Sequence, residues 1–425
     1  MRTVKIQLAF TLLILAFFLF SCADDTTTNT RNGNNSGKTL IVKVVDNNGM
    51  TANNVFVSIN SGAGFLVNSD GTKTFSNVTV PYDLMLISAR DTNFTIYKGL
   101  TSLSPVVNAF GIYDNGSPLH QATILVNYPG VSHYPYSRAL LKFVSQTNVQ
   151  TINEEGNDST SLVFLRWDGP SEISGTFCAM IDSGNSGQPG FLGIALKDTL
   201  FVSGSSNLFR FNVNDFSFNP SEAYLNLNLF SGINIYNYES YVSFNGNSMN
   251  SNINFDDGGA NATSVLTLIV PGTMPIPYKI KVSLSLSTQT GEAYNFIAYM
   301  NPGDNIQVPQ PVYPELLNPP DHAVGIDSYS QFSYNATGGV YLASFNLSTY
   351  NNFGLTVISV SNSFQLPDLS LWGYRFRGNK LIHWHVSNYL GYSGVDEFAS
   401  SKRFTNDPRF TGISNSEIRS FTTAP

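Results

Sequence analysis

Charge is scarce in this chain. Asp, Glu, Lys and Arg together make up 12% of its 425 residues, about half the share of an ordinary soluble domain. The 22 basic residues form no stripe, and the formal net charge is −7. Binding to a phosphate backbone requires clustered Lys and Arg, so nucleic acid is set aside as a partner. Cysteine is nearly absent: Cys22 and Cys178 are the only two. If Cys22 is modified, Cys178 has no partner, and a disulfide framework is excluded. Cys178 sits in Thr176-Phe177-Cys178-Ala179-Met180, a strand-like run with no nearby His to activate a nucleophile, and reads as a small buried hydrophobe. Tryptophan occurs three times, which weakens a carbohydrate platform built on indole rings. No apolar stripe of 3.6-residue period persists after the N-terminal segment, and no strict repeat marks an array. H-E-x-x-H, a phosphate-binding loop and a calcium loop are all missing, and no cofactor is implied.

What is present is polar through amides and hydroxyls, and rich in Phe (31) and Tyr (21). With 42% hydrophobic residues the chain can build large cores, and its length fits two to four domains at roughly 100–200 residues each. The first segment is different. Arg2 and Lys5 precede an apolar run from Ile6 to Leu19, broken only by Gln7 and Thr11. A stable membrane span needs about 20 apolar residues, so the run reads as a secretory signal peptide. It ends Leu19-Phe20-Ser21-Cys22, which resembles the lipobox of bacterial lipoproteins. The resemblance implies cleavage before Cys22, a thioether-linked diacylglycerol on its sulfur and acylation of its nitrogen. Two or three such chains, at about 0.8 kcal/mol per buried methylene, hold a protein on a bilayer. The bland alternative is an ordinary signal peptide with a chance cysteine. Cys22-Ala23-Asp24-Asp25 resembles the acidic tag of surface-exported lipoproteins of the Bacteroidota. It implies an outer membrane lipoprotein on the cell surface, with the periplasmic face as the alternative.

The sequence divides into a signal peptide over 1–21, a polar tether over 22–37 and β-sandwiches thereafter. Leu40, Val42 and Val44 alternate with other residues, as do Val55, Val57 and Ile59, and Asn/Asp/Gly turns separate them. Period-two alternation with such turns is the signature of antiparallel strands. Residues 38–117, through Val44-x-Asp46-x-x-Gly49 and Asn68-Ser69-Asp70-Gly71-Thr72-x-Thr74-Phe75, resemble the transthyretin-like, carboxypeptidase-regulatory-like accessory domains. The resemblance implies a sandwich without peptidase activity. Residues 118–310 keep the same texture, with room for two domains and a soft boundary near 205–220. Ile280, Val282, Leu284 and Leu286 alternate there with Lys281 and serines. A Pro-rich joint follows, and 311–425 resembles a fibronectin type III-like domain through Leu316-Leu317-Asn318-Pro319-Pro320-Asp321, Phe332-Ser333-Tyr334, Val340-Tyr341-Leu342, Ile382-His383-Trp384-His385-Val386 and Arg419-Ser420-Phe421. The expected fold class is all-β, with tandem immunoglobulin-, transthyretin- and fibronectin-like sandwiches. The expected arrangement is a lipid-anchored rod with the transthyretin-like module near the membrane and the fibronectin-like module at its tip. Binding, adhesion or scaffolding is the expected role, with a structural subunit of an envelope complex and an extracytoplasmic hydrolase as alternatives.

Four stretches carry candidate chemistry. Gly184-Asn185-Ser186-Gly187-Gln188-Pro189 resembles the serine motif of chymotrypsin-like proteases, but Gln188 replaces a glycine and the upstream His120 and His133 lack that family's context, so a Gly-rich hairpin loop is the ordinary reading. His383 and His385, two apart on a predicted strand, project from one face and are weak metal candidates without an evident third ligand. Asp256-Asp257-Gly258-Gly259 reads as a turn, with a weak calcium site as the alternative. The connection from Ser387 to Ser416 is far longer than the ~4–6 residues usual between strands. It gathers Asp396, Glu397, Lys402, Arg403, Asp407 and Arg409 among Tyr389, Tyr392, Phe398, Phe404 and Phe410. Mixed charge with Tyr and Arg is interface composition. Tyr389, Tyr392, Asp396, Glu397, Lys402, Arg403, Asp407 and Arg409 are therefore the expected binding residues for a protein or glycan ligand. The competing reading packs this segment on its own domain or on another sandwich, with its aromatics as core.

Overall fold

The computed structural model describes residues 37–46, 49–89, 92–109, 120–128, 138–145, 149–157, 159–182, 191–218, 221–244, 252–258, 264–274, 277–288, 293–347, 353–401 and 407–425. Cys22, His133, the 184–189 stretch, Lys402, Arg403 and Phe404 lie outside them. Nearly every described element is a strand; the exceptions are the short helix Val395–Ala399 and two 3-10 turns. The chain is all-β, as its alternation predicts.

Among the described residues four pairs of facing sheets follow one another. In the first, Thr72–Val78, Lys38–Val45 and Val106–Asn108 face Gly64–Leu66, Val55–Ile59, Tyr82–Ser88 and Thr92–Leu100. Leu40, Val42, Val44, Val55, Val57, Leu84 and Leu86 are fully enclosed between them. The predicted turn at Asn68–Gly71 closes with Gly71 at φ +75°, its N–H donating to the Asn68 carbonyl at 2.8 Å. The second pair sets Val149–Asn157, Thr160–Trp167, His120–Asn127 and Ser206–Arg210 against Phe216–Phe218, Phe191–Val202, Glu172–Asp182 and Arg138–Val144. Its core is aromatic, built on Trp167, Phe143, Phe177, Phe201 and Phe211. The third sets Val265–Pro271, Glu222–Asn228 and Asn305–Gln307 against Asn252–Gly258, Ile233–Phe244, Tyr278–Thr288 and Ala293–Met300, over a core rich in leucine. The fourth sets Glu315–Asn318, Gln331–Asn335 and Ser363–Gln365 against Phe353–Ser359, Val340–Leu347, Leu381–Leu390 and Gly412–Asn415. Arg419–Thr423 also pairs with Leu381–Leu390.

Asp256 and Asp257, read as a turn, lie inside the strand Asn252–Gly258 and pair with Ser240 and Glu239. The long strand Ile233–Phe244 templates its neighbour and overrides the local turn preference of Asp and Gly. Cys178 is fully buried, and not within its own sandwich. Phe177, Ala179 and Ile181 face the second core, whereas Cys178 and Met180 face the other way and join the leucine cluster of the third. Burial pushes the Cys178 thiol well above its ordinary range, so it stays protonated and inert.

The sandwiches are not strung end to end. Thr92–Leu100 of the first pairs in parallel with Phe353–Ser359 of the fourth, Thr92 opposite Phe353 and Tyr97 opposite Ile358. Ala293–Met300 of the third pairs antiparallel with Gly412–Asn415, Phe296 opposite Gly412. Among the described residues one sheet of 14 strands therefore runs from the third sandwich through the fourth into the first. The expected rod with the fibronectin-like module at its tip is corrected: that module is the middle of the shared sheet. An edge strand presents a row of unpaired N–H and C=O groups, and here both edges of the C-terminal sheet are taken by other sandwiches.

Candidate functional site

The long connection after Leu381–Leu390 is a strap between sandwiches. Gly391, at φ +98°, turns the chain where a side chain would meet the Arg409 carbonyl. The helix Val395–Ala399 then lies against the first sandwich. Phe398 is fully buried, its ring 5.2 Å from Tyr389 and 5.2 Å from Tyr392. These rings and Phe410 belong to the same apolar cluster as Leu40, Val42 and Leu84. The carboxylate of Asp396 accepts from the Thr101 N–H at 3.1 Å, the Thr101 hydroxyl at 2.6 Å and the Ser102 N–H at 3.0 Å. Arg409 donates to Asp407 at 2.8 Å from Nε and to Glu397 at 3.3 Å, with its guanidinium 5.7 Å from the Tyr392 ring centroid. Glu397 also accepts from the hydroxyl and N–H of Ser393, both at 2.7 Å, and these bonds, with Arg409, hold its carboxyl below the usual range.

Tyr389 and Tyr392, expected on a recognition surface, are thus core residues. Asp396, Glu397, Asp407 and Arg409 bond within the protein itself. The physical reason is the first sandwich: its sheet and the Thr101–Ser102 turn offer an apolar cover and free N–H donors that the strap satisfies. Removing one such acceptor leaves N–H groups unpaired. Asp396→Ala should lower the free energy of unfolding by about 1.5–3 kcal/mol, read from urea denaturation. An unchanged midpoint would mean that water replaces the carboxylate without loss.

His383 and His385 do share one face of Leu381–Leu390, half-buried, while Ile382, Trp384 and Val386 point into the core. Desolvation lowers the pKa of His385, which keeps it neutral. Among the described residues no group of three His, Cys, Asp or Glu side chains is placed to hold a metal ion. A grouping the sequence analysis missed joins Asp321, His322 and Ser420. Asp321 accepts from the Ser420 N–H at 2.8 Å, the His322 N–H at 3.0 Å and the Ser420 hydroxyl at 3.1 Å, and Ser420 Oγ lies 2.9 Å from His322 Nδ1. The carboxylate is spent on backbone donors, so the trio is a clasp that fastens the last strand.

The other missed feature is the segment Leu366–Lys380, between Ser363–Gln365 and Leu381–Leu390. It lies across the junction of the first and fourth sandwiches. The Trp372 ring sits 5.8 Å from Phe56, and Tyr374 stacks on Phe353 at 4.0 Å and 11°. A cleft of about 340 Å³ opens on one side, where Asp83, Met85, Ile96 and Lys98 face Gln365 to Asp368. Asp83 and Lys98 form an ion pair at 2.8 Å on its wall. A second cleft of about 240 Å³ opens between the turn Asp327–Tyr329 and Arg375 to Arg377. Pro367 and Asp368 bound both. The sequence signal is the alternation Tyr374-Arg375-Phe376-Arg377, rings inward and guanidinium groups outward.

No family model matches the chain, and no curated protein does. Among solved structures, the Bacillus anthracis TIE protein aligns with 64% of this chain at 11% identity and a TM-score of 0.15; the alignment covers 50% of that protein, so this chain spans half its length. A structure reported as the basis for Dscam isoform specificity aligns with 91% of this chain and 99% of its own, at 9% identity and a TM-score of 0.14. The N-terminal four Ig domains of Dscam1 isoform 6.9 align with 90% of this chain and 96% of their own, at 9% identity and a TM-score of 0.15.

Proposed function

We propose that this protein is a lipid-anchored cell-envelope protein, held by Cys22 and turned outward from the outer membrane, that binds or scaffolds through the two clefts bounded by Pro367 and Asp368 of its C-terminal sandwich, one of them at the junction with the first sandwich. The observation that carries this reading is the shared sheet. Three sandwiches hydrogen-bonded into one sheet hold the junction cleft, and the second cleft beside it on the C-terminal sandwich, in a fixed frame, and rigid elements present binding groups more accurately than free loops do. The lipobox-like segment and the polar tether supply attachment and reach. Cys22→Ser should move the protein from the membrane fraction to the soluble one and abolish fatty-acid labelling; label that persists would reject the anchor. Protease shaving of intact cells, read with an antibody to the C-terminal sandwich, should cut the chain while a periplasmic control survives. Protection would reject outward display.

One observation favours the second reading, a subunit of an envelope complex. Leu162, Leu125 and Leu208 stand side by side on three adjacent strands of the second sandwich, and Leu125 and Leu208 are 44% and 60% exposed. Copurification of a stoichiometric partner from detergent extracts, lost on Leu125→Ser with Leu208→Ser, would establish it.

A further inference from the structure

We infer that the cleft between Asp327–Tyr329 and Arg375–Arg377 takes a carboxylate-bearing sugar of the uronic acid type. The inference rests on the binding reading above and gives its site a ligand class. Burial alternates along the segment: Tyr374 and Phe376 are enclosed, and Arg375 and Arg377 are exposed on the cleft side. Neither guanidinium forms an ion pair among the described residues, whereas Arg409 and Arg419 are both paired with carboxylates. Arg375 acts on Asp368 only at longer range, helping the Ser370 N–H and hydroxyl to hold that carboxyl below its usual range. In a chain with so little charge, two unpaired guanidinium groups two residues apart form a local anion site, and the planar fork of Arg matches a carboxylate.

The rest of the lining selects what carries that carboxylate. Tyr329 forms the opposite lip with its side chain 78% exposed. Its backbone is fixed, the N–H bonded to Asp327 at 2.9 Å and the carbonyl to Gln365 at 3.1 Å, so an open ring is offered on a rigid mount. A tyrosine face held this way suits the apolar C–H face of a pyranose, and an aromatic body with a polar edge works well where one end of a ligand is wet. Asp327, Asp368, Ser328 and Ser370 place acceptors and hydroxyls around the same space, which suits a ligand rich in O–H donors and repels a purely anionic one. A volume of about 240 Å³ is at the small end for ligand pockets, and fits one sugar ring. Carboxylate, hydroxyls and a stacking face occur together in a uronic acid. A simple inorganic anion has no use for the two aspartates, and an acidic peptide has few hydroxyls to give them.

The test uses the full-length chain purified in detergent, titrated calorimetrically with glucuronate and galacturonate disaccharides, the matched neutral disaccharides, sodium sulfate and an oligoglutamate peptide. The expected result is binding of a uronate disaccharide that weakens as salt is raised, with no measurable binding of the neutral sugars. Arg375→Gln with Arg377→Gln should weaken it at least tenfold, about 1.4 kcal/mol, without changing the melting temperature, since both side chains are exposed. Tyr329→Ala should weaken it several-fold and leave the salt dependence intact. Uronate binding unchanged in the double arginine variant would overturn this cleft while leaving the protein a binder. Equal affinity for neutral sugars, for sulfate alone or for the peptide would overturn the ligand class, as would no uronate binding at millimolar concentration. Failure of surface display in the shaving experiment bears on none of these outcomes.

Discussion

Phe398→Ala should lower the free energy of unfolding by about 3–5 kcal/mol and loosen the first sandwich from the last. The ring is fully buried and meets Tyr389 and Tyr392 edge-on at 5.2 Å each. Truncating a buried Phe loses its transfer energy and leaves a cavity that neighbours fill only in part. Here the neighbours come from more than one sandwich, because Tyr389 and Phe410 share one cluster with Leu40, Val42 and Leu84 of the first and Ile297 of the third. Amide exchange should rise in Val395–Ala399 and at Thr101 and Ser102, whose N–H groups donate to Asp396, while the second sandwich, whose core is separate, keeps its protection. A variant with wild-type stability and exchange would show that the strap rests on the first sandwich without holding it, and would return these residues to candidacy for recognition.

Trp384→Ala should cost a similar ~3–5 kcal/mol, but with a wider reach. Trp384 is fully buried, stacked with Phe345 at 5.9 Å and 5° and edge-on to Phe332 at 5.1 Å. Its strand, Leu381–Leu390, pairs with Val340–Leu347 on one side and with Gly412–Asn415 and Arg419–Thr423 on the other. Those partners carry the sheet onward to the first and third sandwiches. Loss of this core should therefore lower the unfolding midpoints of all three together, read by urea titration with exchange probes in each. Phe143→Ala is the comparison, since its aromatic core lies in the second sandwich, whose strands are outside the shared sheet. A first sandwich that stays protected while Leu381–Leu390 opens would show that sheet continuity does not transmit the damage.

The alternation of Ile280, Val282, Leu284 and Leu286 announces a half-buried strand, and Asn68–Gly71 announces a turn, which carries the chain from Gly64–Leu66 in one sheet to Thr72–Val78 in the facing one. Local pattern carried both, because each strand face and each turn is set by residues next to one another. Partner choice is different. Nothing in Thr92–Leu100 names Phe353–Ser359 as its neighbour, since backbone hydrogen bonds carry no residue code and the edge is completed from a distant part of the chain. The run Phe177-Cys178-Ala179-Met180 did hold a trace of its surroundings: an apolar residue at every position marks a strand covered on both faces. The strap was flagged by length and composition, yet the same tyrosines and charges serve an intramolecular interface as well as an external one. Arg375 and Arg377 passed unnoticed because their rank among the basic residues depends on where the carboxylates are, which spacing along the chain does not show.

The shared sheet also sets the order in which the molecule can be finished. Thr92–Leu100 is synthesised long before Phe353–Ser359, and Ala293–Met300 before Gly412–Asn415. Until those partners arrive, two strands stand with open edges, the condition under which β-proteins pair with the wrong chain. Pairings this far apart in sequence also make for slow folding. The early modules stay unsealed until the last strands are in place, and a chain cut short at its C-terminus has exposed sheet on both flanking sandwiches.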